Sequence, residues 1–238
     1  MRTLGLLGGM AWPSTLEAYR AINTGVAARL GGTHSAPLLV WSADFSEIER
    51  LQAAGAWEEA GAMLADAAQR LEAAGAQGLM LCSNTMHRVA EVIEAAVAVP
   101  LLHLADATAD AVRADRLTRV GLLGTRFTME DAFYRARLAD HGLEVLVPDA
   151  PDREVVHRII YQELIQGRTS RPSKDEYLRI IERLLDRGAE GVIAGCTEIE
   201  LLVTAEDLPV AYYPTTALHA AAAVAWILDD LPGRGEAP

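Results

Sequence analysis

The sequence lacks the marks of several large protein classes. Its two cysteines, Cys82 and Cys196, form no CxxC pair and have no histidine cluster near them, which argues against a zinc site. No apolar run reaches membrane-spanning length without an interrupting charge, glycine or proline, and the apolar run at the N-terminus is too short for a signal peptide. We therefore expect a cytoplasmic protein with two free thiols, no metal and no membrane partner.

Positive charge is also scarce. The formal net charge is −12, which argues against nucleic acid, because phosphate binding needs clustered Lys and Arg. The glycines of Gly5-Leu6-Leu7-Gly8-Gly9 leave a nucleotide-binding Rossmann domain as one alternative. However, they do not form a GxGxxG pattern, and no GxxxxGK[ST] loop occurs.

Short apolar runs alternate with helix-length segments along the 238 residues. The runs are continuously apolar, as in parallel strands that are buried on both faces. The segments between them, such as Gly55–Ala74 and Lys174–Arg187, are rich in Ala, Leu, Glu and Arg. This order predicts an α/β fold with parallel sheets. The predicted strands are Thr3–Gly8, Pro37–Ser42, Gly78–Cys82, Pro100–Leu104, Arg119–Gly124, Leu143–Val147, Gly191–Gly195 and Pro209–Tyr212.

Two segments recur at nearly one spacing. The glycine-rich segment around Gly5 resembles the one around Gly121, 116 positions later, and Gly75–Gly78 resembles Gly188–Gly191, 113 positions later. The repeat predicts two copies of one four-stranded α/β unit. The expected fold is therefore a pair of duplicated, doubly wound parallel-sheet domains, flavodoxin-like or Rossmann-like, that face each other across a cleft.

The predicted domain boundaries follow from the repeat. We assign residues 1–98 and 215–238 to the first domain and residues 99–214 to the second. The last helix, about Thr215–Leu231, is expected to pack back on the first domain, and Pro232–Pro238 to fray. Ligands of such units bind beyond the carboxyl ends of the strands. We therefore expect the loops 82–85 and 195–198 to lie on opposite walls of the cleft.

Cys196 is the first candidate for chemistry. It follows a buried strand and precedes Thr197–Leu202, which resembles the first turns of a helix. A thiol at a helix N-terminus is stabilised as the thiolate, and a lowered pKa suits it to proton abstraction or nucleophilic attack. The other interpretation is a buried, inert cysteine.

The matching loop in the first half is Leu81–His87. Its backbone N–H groups and the side chains of Asn84 and Thr85 are predicted to hold a carboxylate. Helix capping by Ser83 or Asn84 is the structural alternative, and the two roles can coexist. We interpret His87 as a packing or surface residue.

Taken in order, Gly8-Gly9-Met10, Asn84-Thr85 and Gly195-Cys196-Thr197-Glu198 resemble the aspartate/glutamate racemase family. Across nearly the whole chain, the resemblance is nearest to its broad-specificity bacterial amino-acid racemase branch. It implies racemisation of a small-molecule amino acid, first of all aspartate or glutamate, without pyridoxal phosphate or another cofactor. In that family, one thiolate removes the Cα proton and a second thiol protonates the opposite face. The resemblance also implies a homodimer.

The sequence departs from the family at the first cysteine. Ser83 stands directly before Asn84-Thr85, where the family has cysteine, and Cys82 is one residue earlier. Successive strand residues point to opposite faces, so Cys82 is expected to face the core if Ser83 faces the cleft. A serine hydroxyl is a poor base. We therefore expect a lopsided mechanism in which Cys196 abstracts efficiently and the reverse direction is slow or absent.

A second departure concerns the substrate side chain. Many family members carry a lysine before the glycine that matches Gly167, and this chain has none there. Its absence leaves open a substrate other than aspartate or a different anchor, for which Arg50, Gln52 and Arg126 are the candidates. The predicted catalytic residues are Cys196 and Ser83. The predicted substrate-binding residues are Met10, Gln52, Asn84, Thr85, Thr125, Thr128, Thr197 and Glu198.

Other functions stay open at this stage. A related single-cysteine decarboxylase or isomerase needs one thiol to protonate an enolate, and Cys196 opposite Ser83 fits that logic. An amino-acid-binding protein that lost its second base is a different class. Proton exchange at Cα separates catalysis from binding.

Overall fold

The computed structural model describes residues 1–229. The predicted helix end at Leu231 and the predicted frayed segment Pro232–Pro238 lie outside these residues. The chain divides into two compact units. Unit 1 comprises Met1–Cys82, Val89–Leu102 and the described residues from Ala220 onward, and unit 2 comprises Ser83–Arg88 and His103–His219.

Unit 1 contains a four-stranded parallel sheet in the order β2-β1-β3-β4. Its strands are β1 (Leu4–Gly8), β2 (Leu38–Ser42), β3 (Gly78–Leu81) and β4 (Leu101–Leu102). Its helices are α1 (Trp12–Leu30), α2 (Phe45–Ala54), α3 (Trp57–Ala73) and α4 (Ala90–Ala96).

Unit 2 repeats this architecture with a parallel sheet in the order β6-β5-β7-β8. Its strands are β5 (Arg119–Gly124), β6 (Glu144–Leu146), β7 (Gly191–Gly195) and β8 (Ala211–Pro214). Its helices are α5 (Leu104–Ala114), α6 (Arg126–Glu130), α7 (Ala132–Asp140), α8 (Ala150–Gln162), α9 (Arg171–Asp186) and the start of α10 (Thr215–Leu228). If four is added to each strand number of the first sheet, the order of the second sheet results, as the duplication predicts.

Both faces of the second sheet are covered by helices. Along β7, Val192 and Ala194 pack in one hydrophobic cluster with Ile180 and Leu184 of α9. Ile193 packs in a second cluster, which includes residues of α5 and α7. Alternate residues of one strand thus enter different cores, which is why this strand is apolar at every position. The prediction of parallel strands buried on both faces is confirmed here.

The repeated segments have the same structural role in the two units. Gly75 and Gly188 follow helix ends with positive φ values of 102° and 94°, which favour glycine. Two residues after each glycine, a side chain holds the start of the first strand. The Gln77 side chain accepts a hydrogen bond from the Thr3 N–H (2.9 Å), and Glu190 accepts one from the Arg119 N–H (2.9 Å). The sequence repeat is therefore a structural repeat.

The predicted strand limits differ most from the observed ones in β4 and β8, by two residues at one end or both. The fourth strand ends at Leu102 and not at Leu104, because His103 is already the N-cap of α5. The last strand is Ala211–Pro214 and not Pro209–Tyr212. Proline has no N–H to donate to a ladder, which disfavours an early start at Pro209.

The division into units places Ser83–Arg88 with unit 2. Asn84, Thr85 and His87 of this segment form hydrogen bonds with other residues of unit 2. The predicted domain boundaries at 98/99 and 214/215 stay a prediction. Within residues 1–229, no helix is long and apolar enough to cross a membrane.

Candidate active site

Cys82 and Ser83 directly follow β3, and the two residues have different surroundings. Cys82 lies in the hydrophobic core of unit 1 with Leu6, Ile22 and Met80, and its N–H donates to the Leu7 carbonyl (2.9 Å). Burial raises the pKa of the Cys82 thiol to about 12. The expectation that Cys82 faces the core is confirmed, and this thiol is suited to packing and not to proton transfer.

Ser83 begins the segment that belongs to unit 2, and it is only partly buried. Its Oγ accepts a hydrogen bond from the Met86 N–H (3.3 Å), in the manner of a helix cap. Within residues 1–229 the structure gives the Ser83 hydroxyl proton no acceptor. The Ser83 hydroxyl proton is therefore available for donation, as the role of a proton donor in the candidate site requires.

Asn84 connects this loop to the strand that carries Cys196. Its Nδ2 donates to Thr215 Oγ1 (3.1 Å), and Thr215 Oγ1 donates to the carbonyl of Ala194 (2.8 Å) on β7. The Asn84 Oδ1 is buried and has no hydrogen-bond partner among the described residues. An unpartnered buried acceptor is costly unless a ligand supplies a donor.

Three buried threonines form a hydroxyl cluster. Thr85 Oγ1 lies 3.0 Å from Thr125 Oγ1, which lies 3.2 Å from Thr128 Oγ1. Thr125 is also the N-cap of α6, where its Oγ1 accepts from the Thr128 N–H (3.3 Å). The structure thus brings together three of the predicted substrate-binding residues, and capping coexists with the cluster.

Cys196 caps a short 3₁₀ helix, Thr197–Leu201, and not an α-helix. It is 9% exposed, and its Sγ donates a hydrogen bond to Glu198 Oε2 (2.8 Å). Burial first, and then the negative charge of Glu198, raise the pKa of the Cys196 thiol well above its ordinary value. This direction disfavours the thiolate that we expected at a helix N-terminus, and the reactive form of Cys196 stays a prediction. The Glu198 carboxylate is the acceptor of the thiol's hydrogen bond.

Two further contacts hold the strand end that follows Cys196. Thr197 Oγ1 lies 2.7 Å from Thr216 Oγ1 at the start of α10, and the Thr216 N–H donates to Glu200 Oε1 (3.2 Å). The backbone here is also tight, because a Cβ on Gly195 would lie 2.8 Å from the Leu123 carbonyl oxygen. Glycine at 195 therefore permits the close approach of β5 and β7 directly before the thiol.

The remaining predicted site residues lie elsewhere. Met10, directly after the Gly8-Gly9 loop, and Gln52, on α2, are buried in unit 1. Of the proposed side-chain anchors, Arg50 and Arg126 are exposed. Arg126 lies 4.0 Å from the Glu154 carboxylate, a surface pair of little energetic weight. Within the described chain, no group of three or more His, Cys, Asp or Glu could hold a metal ion.

Sequence analysis missed the structural roles of two residues. Thr215 was assigned only to a helix start, although its hydroxyl bridges Asn84 and Ala194. His87 was interpreted as a packing or surface residue, yet it is buried with both ring nitrogens in hydrogen bonds. Nothing local in the sequence signals the contacts of Thr215 with Asn84 or of His87 with Leu104, since these partners are 131 and 17 positions apart.

Comparisons with known proteins show which family the chain resembles. The model of the Asp/Glu/hydantoin racemase family matches residues 7–223. A proposed Asp/Glu racemase from Yersinia pestis is 53% identical, with 96% of this chain and 100% of that chain covered and a TM-score of 0.92. An aspartate racemase homologue from Pyrococcus horikoshii OT3 is 32% identical, with 95% and 99% covered and a TM-score of 0.83.

A glutamate racemase from Pseudomonas paraeruginosa is 33% identical over 125 residues, which are 52% of this chain and 46% of that protein. The broad-specificity amino-acid racemase of Bacillus subtilis is 24% identical over 145 residues, or 58% of this chain and 59% of that one. The aligned segments thus span about half of these two relatives. The family match, in contrast, extends over most of the chain. The chain therefore belongs to the Asp/Glu/hydantoin racemase family, and by that membership it is an amino-acid racemase.

Proposed function

We propose that this enzyme racemises aspartate or glutamate without pyridoxal phosphate. Cys196 acts as thiol acid and base on one face of Cα, and Ser83 occupies the position of the opposing acid. The observation that carries the proposal is the hydrogen bond from the buried Cys196 thiol to Glu198 (2.8 Å). A thiol that is protonated at rest must lose its proton before it can act as a base, and in this proposal Glu198 accepts that proton.

The proton steps balance as follows. The Cys196 thiol gives its proton to Glu198, and the thiolate then removes the Cα proton, which leaves a carbanion. The Ser83 hydroxyl donates its proton to the opposite face. The serine oxygen regains a proton from solvent, and Glu198 releases one to solvent. Burial strengthens each electrostatic contact in this sequence.

The substrate's main-chain groups match the polar atoms around the thiol. The cluster of Thr85, Thr125 and Thr128 offers hydroxyl donors to the α-carboxylate. The Asn84 Oδ1, which has no partner among the described residues, is a hydrogen-bond acceptor, and the α-ammonium group of the substrate can donate to it. We include Met10, Gln52 and Thr197 as further substrate contacts from the family resemblance.

The Ser83 hydroxyl makes the two faces unequal in a specific way. The two enantiomers have the same free energy, so kcat/KM must be the same for both of them. The slow reverse direction that the sequence led us to expect therefore cannot appear as a difference in kcat/KM. The inequality appears in hydrogen exchange. The enantiomer whose Cα proton faces Cys196 loses this proton to the thiolate. The thiol then exchanges the proton with solvent and returns a solvent-derived proton to the same face of Cα. For the other enantiomer, abstraction by the serine oxygen is slow, and each abstraction ends in inversion.

Proton NMR in D₂O tests the proposal with L- and D-glutamate and L- and D-aspartate, each followed by chiral analysis. We expect one enantiomer to exchange Cα–H faster than it inverts, and the other to show deuterium only in the inverted product. Equal exchange of both enantiomers, unaffected by Ser83→Ala, would contradict the role of Ser83. Binding seen as a thermal shift, with no exchange of any of the four, would instead support an amino-acid-binding protein.

Two parts of the proposal concern the assembly and location of the enzyme. From the family resemblance we propose a homodimer, and we keep the cytoplasmic location that the sequence led us to expect. Light scattering after size exclusion measures the mass in solution directly. A mass near that of one 25.6 kDa chain would contradict the dimer.

A further inference from the structure

His87 is a buried titratable group that the proposed mechanism does not use. It lies in the 3₁₀ helix Thr85–Val89 that follows Ser83, and its side chain is 2% exposed. It is surrounded by polar partners and not by apolar packing alone. Its ring meets those of His103 (centroids 4.6 Å apart) and His219 (5.8 Å) edge to face.

The two ring nitrogens of His87 have opposite hydrogen-bond roles. Nδ1 lies 2.7 Å from the carbonyl oxygen of Ser83, which can only accept, so Nδ1 must carry the proton. Nε2 lies 3.1 Å from the Leu104 N–H, which can only donate, so Nε2 must be unprotonated. One neutral tautomer satisfies both contacts, and imidazolium would satisfy only one. Burial, followed by the neighbouring histidines, keeps the pKa of His87 well below its ordinary value.

The second partner of His87 is a fixed point of unit 2. Leu104 is the first residue of α5, and its N–H is one of the helix donors without an intrahelical acceptor. The first turn of this helix is also held by Asp106, which accepts two hydrogen bonds from Arg137 (2.7 Å each) and lies 2.8 Å from His141 Nε2. The ring thus connects Ser83 to a rigid helix end.

Ser83 is consequently held at two atoms. Its carbonyl is fixed by His87 and its Oγ by the Met86 N–H, which leaves the hydroxyl proton as the group that can act. We infer that His87 is a positioning residue that aims the Ser83 hydroxyl at its face of Cα. The inference rests on the proposed function, and it assigns His87 to one face of the reaction only.

Three substitutions separate the two contacts of the ring. The His87→Asn side chain places an amide N–H close to the position of Nδ1 and keeps the donor to Ser83. The His87→Gln side chain reaches the position of Nε2 and keeps an acceptor for Leu104. His87→Phe keeps the ring shape and loses both contacts.

The informative measurement is the ratio of inversion to Cα–H exchange for the enantiomer that exchanges faster. Exchange needs only the Cys196 face, whereas inversion needs Ser83 as well, so the ratio does not depend on how much of a variant is folded. We expect His87→Gln and His87→Phe to lower this ratio roughly ten- to a hundredfold, as misplacement of a reacting group does. His87→Asn should stay within about twofold of wild type, because it keeps the contact that positions Ser83.

The outcomes are distinguishable. Equal loss of exchange and inversion in all three variants would make His87 a merely structural residue and overturn the inference while the racemase stands. A wild-type enzyme that neither exchanges nor inverts any of the four substrates would overturn the proposed function and this inference with it. Nitrogen-15 NMR of the imidazole provides an independent check. We expect His87 to stay neutral with its proton on Nδ1 from pH 5 to 8, and a proton on Nε2 would contradict the geometry.

Discussion

The two repeats carry different residues where their third strands end. In the proposed mechanism, this difference decides which repeat supplies the reactive thiol. With the spacing of 113 positions, Ser83 corresponds to Cys196, and Cys82 corresponds to Gly195. The residue before the active position is a core thiol in one repeat and a glycine with no room for a side chain in the other. A shift of one residue along a strand therefore moves a thiol from a reactive position into the hydrophobic core.

The surroundings of the two thiols reinforce this contrast. Both cysteines are buried, and burial raises the pKa of each. Within residues 1–229, of the two thiols only that of Cys196 has a carboxylate within hydrogen-bond distance, which can accept its proton. A cysteine that is only buried keeps its proton and is inert. In the proposed mechanism, a buried cysteine beside a proton acceptor can lose its proton and then act as a base.

The largest expected effect comes from removing the reactive thiol. Cys196→Ser should lower both Cα–H exchange and inversion by about a thousandfold or more, because the thiolate that takes the proton in the proposed mechanism is lost. Cys82→Ala is the matched control, and it should keep the wild-type ratio of inversion to exchange. NMR in D₂O measures both variants, and comparable losses in the two would break the contrast between the cysteines.

Removing the charge beside the thiol should have the next largest effect. In Glu198→Gln the acceptor is lost, and we expect turnover to fall about a hundredfold. The pKa of Cys196 should fall at the same time, because the charge that raises it is gone. Thiolate absorbance near 240 nm against pH, with Cys196→Ser as the blank, measures this shift. Loss of activity with a rise in the thiol pKa would contradict the role of Glu198.

Ser83→Cys sharpens the comparison by making the two repeats chemically alike. A thiol at 83 is a far better base than a hydroxyl, so the enantiomer that faces this side should exchange its Cα proton about tenfold faster or more. Exchange of the two enantiomers should approach equality. An unchanged difference between the enantiomers would mean that Ser83 does not face the substrate.

The smallest expected effect concerns stability. Gly195→Ala places a Cβ 2.8 Å from the Leu123 carbonyl oxygen, and we expect a loss of about 1–3 kcal/mol in the free energy of unfolding, as overpacking produces. Gly121→Ala is the control, since its nearest neighbour is the flexible end of Leu184. Urea denaturation compares the two variants. Equal stabilities would show that the strand ends have room to separate.

Much of the architecture follows from local patterns. Continuous apolar runs predicted all eight strands in parallel sheets, and the spacing of 113 to 116 positions predicted the duplication. Strand limits were less exact where a cap or a proline intervened, as at His103 and Pro209, because pairing partners decide where a ladder stops.

The family resemblance, the serine at position 83 and the place of Cys196 at the end of a buried strand follow from the sequence alone. The rise in the pKa of Cys196 needs the folded chain, because it comes from burial and from the Glu198 carboxylate. The contacts of Asn84 with Thr215 and of His87 with Leu104 also need it, because these partners lie far along the chain. Periodicity and motifs report a residue's own element, whereas charge, burial and hydrogen bonding are set by elements brought close in folding.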